Sequence, residues 1–242
     1  MQINSGIRYF LAWPRIYNAY QDLVGATRGR KWVSERFWRL QPGQKAVDIG
    51  CGSGNVIQHL PRDVKYVGFD ISEKYIEHAR VKFAGDPDKT FLVGSAEDFI
   101  ADLPEPMRDA DLVIMSGLLH HLDDDEALVA LTLAKQALSP QGRLVALEGS
   151  FLIKQARLAR WFVGLDRGRN VRTEPAWRAL VAQVFDHYET FILTGLDRTP
   201  YTYILIEASM SRRTMPRAGI SDPVTPFQRD DGTPSTHTSD KT

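Results

Sequence analysis

The segment Lys45-Ala46-Val47-Asp48-Ile49-Gly50-Cys51-Gly52-Ser53-Gly54-Asn55 constrains the fold more than any other part of this chain. An apolar run of strand length leads into three glycines at alternate positions, the pattern of a buried strand that turns through a tight loop and opens a helix. Gly50, Gly52 and Gly54 carry no Cβ, so the spacing predicts a loop on whose backbone amides a small charged molecule can lie directly. The pattern is G-x-G-x-G, and the position where a dinucleotide fingerprint needs its third glycine is Asn55, which disfavours NAD. Asp48 places a carboxylate just ahead of the loop. A ligand bearing an ammonium or sulfonium suits that charge better than one bearing a pyrophosphate, because like charges repel at short range.

Three further stations lie at the ends of expected strands, where ligands of open parallel sheets bind. The run from Val64 to Phe69 ends at Asp70 and Ile71, twenty residues after Gly50, and a carboxylate there can accept hydrogen bonds from both hydroxyls of a ribose. A third strand, Thr90 to Val93, stops at Gly94-Ser95-Ala96-Glu97-Asp98, where amides and acids can meet an adenine edge. A fourth, Asp111 to Met115, ends at the small residues Ser116 and Gly117. Each glycine alone could be a turn and each aspartate a helix cap, but four such stations in order point to one cofactor site. S-adenosylmethionine (SAM) meets the charge and the glycine spacing together.

With those motifs the chain resembles the class I SAM-dependent methyltransferases across residues 40 to 208. Asp48 to Gly54, Cys51 included, is similar to their glycine-loop motif, Asp70 to their ribose-binding acid, Ser95 to Asp98 to their adenine segment, and Leu138 to Val145 to the entry of their fifth strand. The resemblance implies SAM as cofactor and a doubly wound, seven-stranded, mostly parallel α/β sheet of Rossmann-like type. A looser similarity involves Pro14 to Asn18, Arg28 to Arg30, Asp166 to Arg172 and Arg198 to Thr202. It points to a bacterial subgroup associated with surface-polysaccharide and other small-molecule pathways.

Periodicity divides the chain into an N-terminal helical lid (1–40), the methyltransferase domain (41–208) and a disordered tail (209–242). Helical spacing of Trp13, Tyr17 and Tyr20, and of Trp32 and Phe37, predicts two N-terminal helices parted near Gly25 to Gly29. Strands and helices alternate from Ala46 to Leu147; helices are expected at Lys154 to Leu165 and Glu174 to Phe185, and a hairpin from His187 to Leu193 and Tyr201 to Ala208. The last segment is rich in Ser, Thr, Pro, Asp and Arg and cannot offset the entropy of ordering.

At 242 residues and 43% hydrophobic content the chain can bury one substantial core. Its one cysteine, Cys51, excludes an internal disulfide and a cysteine-ligated cluster, and with that radical iron-sulfur chemistry. No long apolar run or signal-peptide pattern is found, which predicts a cytoplasmic protein without membrane insertion. The formal net charge is zero, so the global basic excess of nucleic-acid binders is missing. Yet basic residues crowd 1–40 and 154–172. Either these are solvated helix faces, or the two segments meet over the cofactor and attract an anionic acceptor.

Methyl transfer needs an aligned nucleophile in a site cleared of water, with a general base as an option. His120 and His121 follow the fourth strand, and in an extended segment only one can face the cleft; His120 is the candidate base, against the alternative that both rings merely pack. Asp123 to Glu126 are explained by a helix dipole, so no metal is expected. Tyr17 and Tyr20 either join the core or close the pocket, and Arg169, Asn170 and Tyr201 are candidates for acceptor recognition or for turn chemistry. The function these readings favour is SAM-dependent methylation of a small-molecule or glycan-linked acceptor at oxygen. Alternatives are transfer to nitrogen or carbon of another metabolite, and a non-catalytic SAM-binding scaffold.

Overall fold

A computed structural model describes residues 26–152, 155–164 and 170–211. Among the described residues eight strands form: β1 (Lys45–Ile49), β2 (Lys65–Asp70), β3 (Lys89–Val93), β4 (Ala110–Ser116), β5 (Leu138–Phe151), β6 (Arg172–Thr173), β7 (His187–Thr194) and β8 (Thr202–Ser209). Seven make one continuous sheet in the order β3-β2-β1-β4-β5-β8-β7, and the two-residue β6 pairs with the far end of β5. Strands β1 to β5 are parallel, and β8 returns antiparallel to β5 and β7. The expected doubly wound sheet closed by a hairpin is therefore present. Strand order reverses between β1 and β4, which opens the crevice at their carboxyl ends.

Side chains alternate between the two faces of the sheet, and both faces are covered, as a parallel sheet requires. Val47, Ile49, Val113, Met115, Leu144 and Ile204 pack with Leu131 and Ala134 of α4 (Asp124–Ala137) and with Trp177 and Leu180 of α6 (Glu174–Val181). On the other face Ala46, Tyr66, Leu112, Ile114, Val145 and Leu205 meet Ile76 and Ala79 of α2 (Glu73–Lys82). The same cluster takes in Val33, the end of α1 (Ala26–Val33), and Phe37 and Trp38 of the π-helical turn that continues it. Helices α3 (Ala96–Ile100) and α5 (Arg157–Gly164) follow β3 and β5.

Three local expectations change. The glycine loop leads not into an α-helix but through turns into a single 3-10 turn at Ile57–His59, because Gly52 and Gly54 hold positive φ and Pro61 follows just past Leu60. The parting of the N-terminal helices does not reach Gly29, which lies inside α1. The helix expected over Glu174 to Phe185 stops at Val181. Residues 1–25, with most of the expected lid and with Tyr17 and Tyr20, and residues 212–242, with nearly all of the tail, lie outside the described residues.

The π-turn is fixed to the sheet by buried charge. Arg143 of β5 donates to the carbonyls of Phe37 and Trp38, and its Nη1 lies 3.1 Å from Oε1 of Glu207 on β8. Arg39 ends the turn with a φ of 44° and reaches the same oxygen at 2.6 Å. Burial raises the carboxyl of Glu207 above its usual range against the pull of the two arginines, and lowers Arg143 to about 10. Removing one member of such a set strands the others in a low-dielectric interior. Arg143→Ala should cost about 3 to 5 kcal/mol, read as a lower urea midpoint with an unchanged slope.

Candidate functional site

Every cofactor station of the sequence converges on the crevice at the carboxyl ends of β1, β2, β3 and β4. Gly50, Gly52 and Gly54 take φ values of 74°, 52° and 71°, a region that favours glycine. Their packing differs from expectation. A Cβ on Gly50 would lie 2.8 Å from Leu118, and one on Gly54 2.9 Å from Phe83, so these two glycines serve the close packing of the loop; a Cβ on Gly52 meets no protein atom within 4 Å.

The amides of the loop are also spent within the chain. Those of Gly50 and Cys51 both donate to the Phe69 carbonyl at 2.9 Å, Gly54 donates to Cys51 at 3.0 Å, and Gly52 donates to Oδ2 of Asp70 at 3.0 Å. The loop is thus not an anion cradle at these positions, which corrects the expectation of a ligand seated on their N–H groups. A donor set of this kind fits a sulfonium better than a pyrophosphate, which needs free amides.

Asp70 holds the loop to β2, its Oδ1 taking the Ser72 amide at 2.8 Å and its Oδ2 that of Gly52. Each oxygen keeps a second lone pair for a hydroxyl. Burial raises its pKa, while the two amide donors pull it down. Beside it Ile71 is 76% exposed and Val93 at the end of β3 is 42% exposed, two apolar side chains at the mouth of the crevice. Ser95 and Asp98 form a reciprocal capping box at the start of α3, with Ala96 in its first turn and Glu97 pointing to solvent. Ser116 and Gly117 close the crevice at the end of β4, where Gly117 turns back with a φ of 71° and donates to the Leu147 carbonyl at 2.9 Å.

Asp48 lies beneath the loop rather than on its surface. It is 1% exposed and accepts the Tyr66 hydroxyl at 2.6 Å. Burial pushes its carboxyl up to about 7, the Tyr66 hydrogen bond opposing and the Asp70 charge reinforcing. Burial likewise drives the Cys51 thiol far above its usual range, so it is inert as a nucleophile.

His120 occupies a 3-10 turn, Leu119–His121, not an extended segment, and its ring meets that of His121 at a tilt of 45° with centroids 4.1 Å apart. It is the more deeply buried of the two, at 6% exposure. Nδ1 of His120 lies 2.5 Å from Oε2 of Glu148, a wholly buried side chain near the end of β5. The other oxygen of Glu148 accepts the amides of Leu118 at 3.0 Å and Leu119 at 2.9 Å. A carboxylate on Nδ1 assigns that nitrogen the proton and leaves the lone pair on Nε2. Sequence reasoning missed Glu148; the signal was a lone acid in the apolar run Leu144 to Gly149.

Arg172 fixes the same turn from the other side. Its guanidinium donates to the carbonyls of Leu119, Leu122 and Asn170, forks onto Asp124 at 2.9 and 2.7 Å, and lies 4.8 Å from the Trp177 ring. The charge of Arg172 is therefore spent inside the molecule and not on an acceptor. Asn170 reaches the turn through its backbone, donating to the His120 carbonyl at 3.0 Å. Tyr201 stands over Gly149, where a Cβ would lie 2.1 Å from its hydroxyl, and its ring packs at a tilt against Tyr203 with centroids 4.6 Å apart. Arg169 lies outside the described residues. Among those residues no three His, Cys, Asp or Glu side chains gather into a metal site.

The displaced carboxyl of Asp48 has a consequence for stability. Between its ordinary 3.8 and about 7 the folded chain holds a proton that the unfolded chain has released, so stability falls as pH rises through that window and levels off above it. The displacement is worth about 4 kcal/mol. Asp48→Asn should flatten the decline in melting temperature from acidic to neutral pH and be the more stable chain near neutrality. Parallel pH profiles for the two proteins would contradict this placement of the carboxyl.

A family model for a methyltransferase domain matches residues 46–142. The chain is 31% identical over 221 residues to a demethylmenaquinone methyltransferase of Symbiobacterium thermophilum, covering 78% of this chain and 84% of that protein. It is 32% identical over 117 residues to a 27-O-demethylrifamycin SV methyltransferase of Amycolatopsis mediterranei, covering 47% of this chain but only 41% of that protein. The solved structure of a mitomycin 7-O-methyltransferase superposes with a TM-score of 0.61 at 19% identity over 81% of this chain, which spans 57% of that protein. A glycine loop clasped by Asp70 at the switch point of this sheet, together with these relatives, identifies the chain as a member of the class I SAM-dependent methyltransferases.

Proposed function

We propose that this methyltransferase acts on a hydroxyl of a small-molecule or glycan-linked acceptor, with His120 as general base. The observation that carries the reading is the 2.5 Å contact between Nδ1 of His120 and the buried carboxylate of Glu148. That partner fixes the tautomer, orients the ring and favours the imidazolium formed when Nε2 takes a proton. One relative, named for methylating a 27-O-demethylrifamycin, supports oxygen as the target.

Bound SAM would supply a methyl group on a sulfonium, whose departure as a neutral thioether leaves little for the protein to do except align and desolvate. The chain's residues divide that work. Asp70 would take the ribose hydroxyls, Ile71 would lie against the adenine face, and Ser95, Ala96 and Glu97 would border its edge. Gly50, Cys51, Gly52 and Gly54 would shape the wall beside the methionine portion, with Asp48 beneath them. Ser116 and Gly117 would let the acceptor approach. The acceptor oxygen would give its proton to Nε2 of His120 as its lone pair takes the methyl. Tyr17, Tyr20, Arg169, Asn170 and Tyr201 would border the acceptor, under a lid formed by residues 1–40. We place the reaction in the cytoplasm.

Calorimetry tests the cofactor assignment. Asp70→Ala should weaken SAM and its demethylated product by about 1 to 3 kcal/mol through lost ribose hydrogen bonds. Equal binding by the two proteins would remove Asp70 from the site.

The base is tested once mass spectrometry of ligands carried through purification supplies an acceptor. His120→Ala should lower turnover about 100-fold or more with SAM affinity kept. Glu148→Gln should show the same split, and the wild-type rate should fall in acid, where imidazolium has no lone pair. Near-normal turnover by His120→Ala would reduce catalysis here to alignment and desolvation.

A further inference from the structure

Helix α5 carries an apolar and cationic surface that the site does not use. The helix is seated by Val163, 1% exposed, while the exposed Arg160 guanidinium passes 5.1 Å from the Phe151 ring at the end of β5. Just ahead of it Gln155 donates to the Thr202 hydroxyl at 2.8 Å, which ties this segment to the start of β8. Leu158 and Trp161, three residues apart and so on one helical face, are each 58% exposed. Arg157 and Arg160 are exposed beside them, and residues 155–164 contain no acid.

We infer that α5 docks the protein on an anionic phospholipid surface, lying in the plane of the headgroups. An exposed Trp and Leu on a short helix, bordered by arginines with no acid among them, match the chemistry of an interfacial helix: the rings and methyls enter the headgroup boundary, and the guanidiniums pair with phosphates. Charge selects this occupant over a protein face of mixed sign. Among the described residues no helix is long and apolar enough to cross a membrane, so the contact is peripheral. The inference rests on exposure and charge alone and does not depend on oxygen being the methylated atom.

Vesicle sedimentation with the full chain tests it, using phosphatidylcholine with and without phosphatidylglycerol. The wild type should sediment with the anionic vesicles, not with pure phosphatidylcholine, and should come off in high salt, where the screening length shrinks to a few ångströms. Arg157→Gln with Arg160→Gln should lower the partition coefficient roughly 30-fold, two charges at the usual strength of a basic residue near an anionic leaflet. Leu158→Ala with Trp161→Ala should lower it about 10-fold or more by removing the inserted groups. Both double variants should keep the circular-dichroism spectrum and SAM affinity of the wild type. No sedimentation with anionic vesicles at low salt overturns the inference, as does equal sedimentation by either double variant. A concentration-dependent dimer that the Leu158 and Trp161 changes abolish, without vesicle binding, would assign the face to a second copy of the chain instead.

Discussion

The turn that follows β4 is organised by a carboxylate that water does not reach. Glu148 is buried near the end of β5, and an ionised carboxylate in that position is costly unless its lone pairs are filled. The amides of Leu118 and Leu119 and the Nδ1 of His120 fill them. One group thus caps the turn after β4, fixes the histidine and ties two neighbouring strands at the crevice. Arg172 closes the turn from outside, taking the carbonyls of Leu119 and Leu122, so both polar edges of the turn are satisfied by charged partners. A ring held at Nδ1 on a turn fixed along both edges has little rotamer freedom left to lose.

The cofactor end is built on the same economy of polar groups. Asp70 spends one lone pair on each of two amides, which pins the glycine loop to β2 and leaves one lone pair on each oxygen for a ligand. Beneath the loop Asp48 accepts the Tyr66 hydroxyl, and burial moves its carboxyl up to about 7 against that hydrogen bond. The two acids differ because of their surroundings, not their type. Asp70 sits at the open end of its strand, while Asp48 faces the closed layer formed with Tyr66 and Cys51.

The periodicity of the chain and its glycine spacing were enough to establish the sheet, its parallel half, the closing hairpin and the four stations around the crevice. These are local signals: apolar runs, turn residues and the acids that end strands are read from neighbours in sequence. His120 was legible on the same basis, from its place after β4. What it does was not, because its partner Glu148 is 28 residues away and is marked only as one acid in an apolar strand. The basic stretch of 154–172 was legible as charge, yet charge alone does not say where it is spent. Arg172 turns inward onto carbonyls, whereas Arg157 and Arg160 stay exposed.

Sequence alone therefore determined the class of fold, the cofactor and the positions of the strand ends, since each follows from the chemistry of a few adjacent residues. Tertiary structure decided which of those residues are free to act. The amides of Gly50, Cys51, Gly52 and Gly54 are committed within the chain, and His120 is held by Glu148. The reason is that a buried donor or acceptor must find a partner, and the partner is chosen by whichever strand the fold brings alongside, not by its distance along the chain.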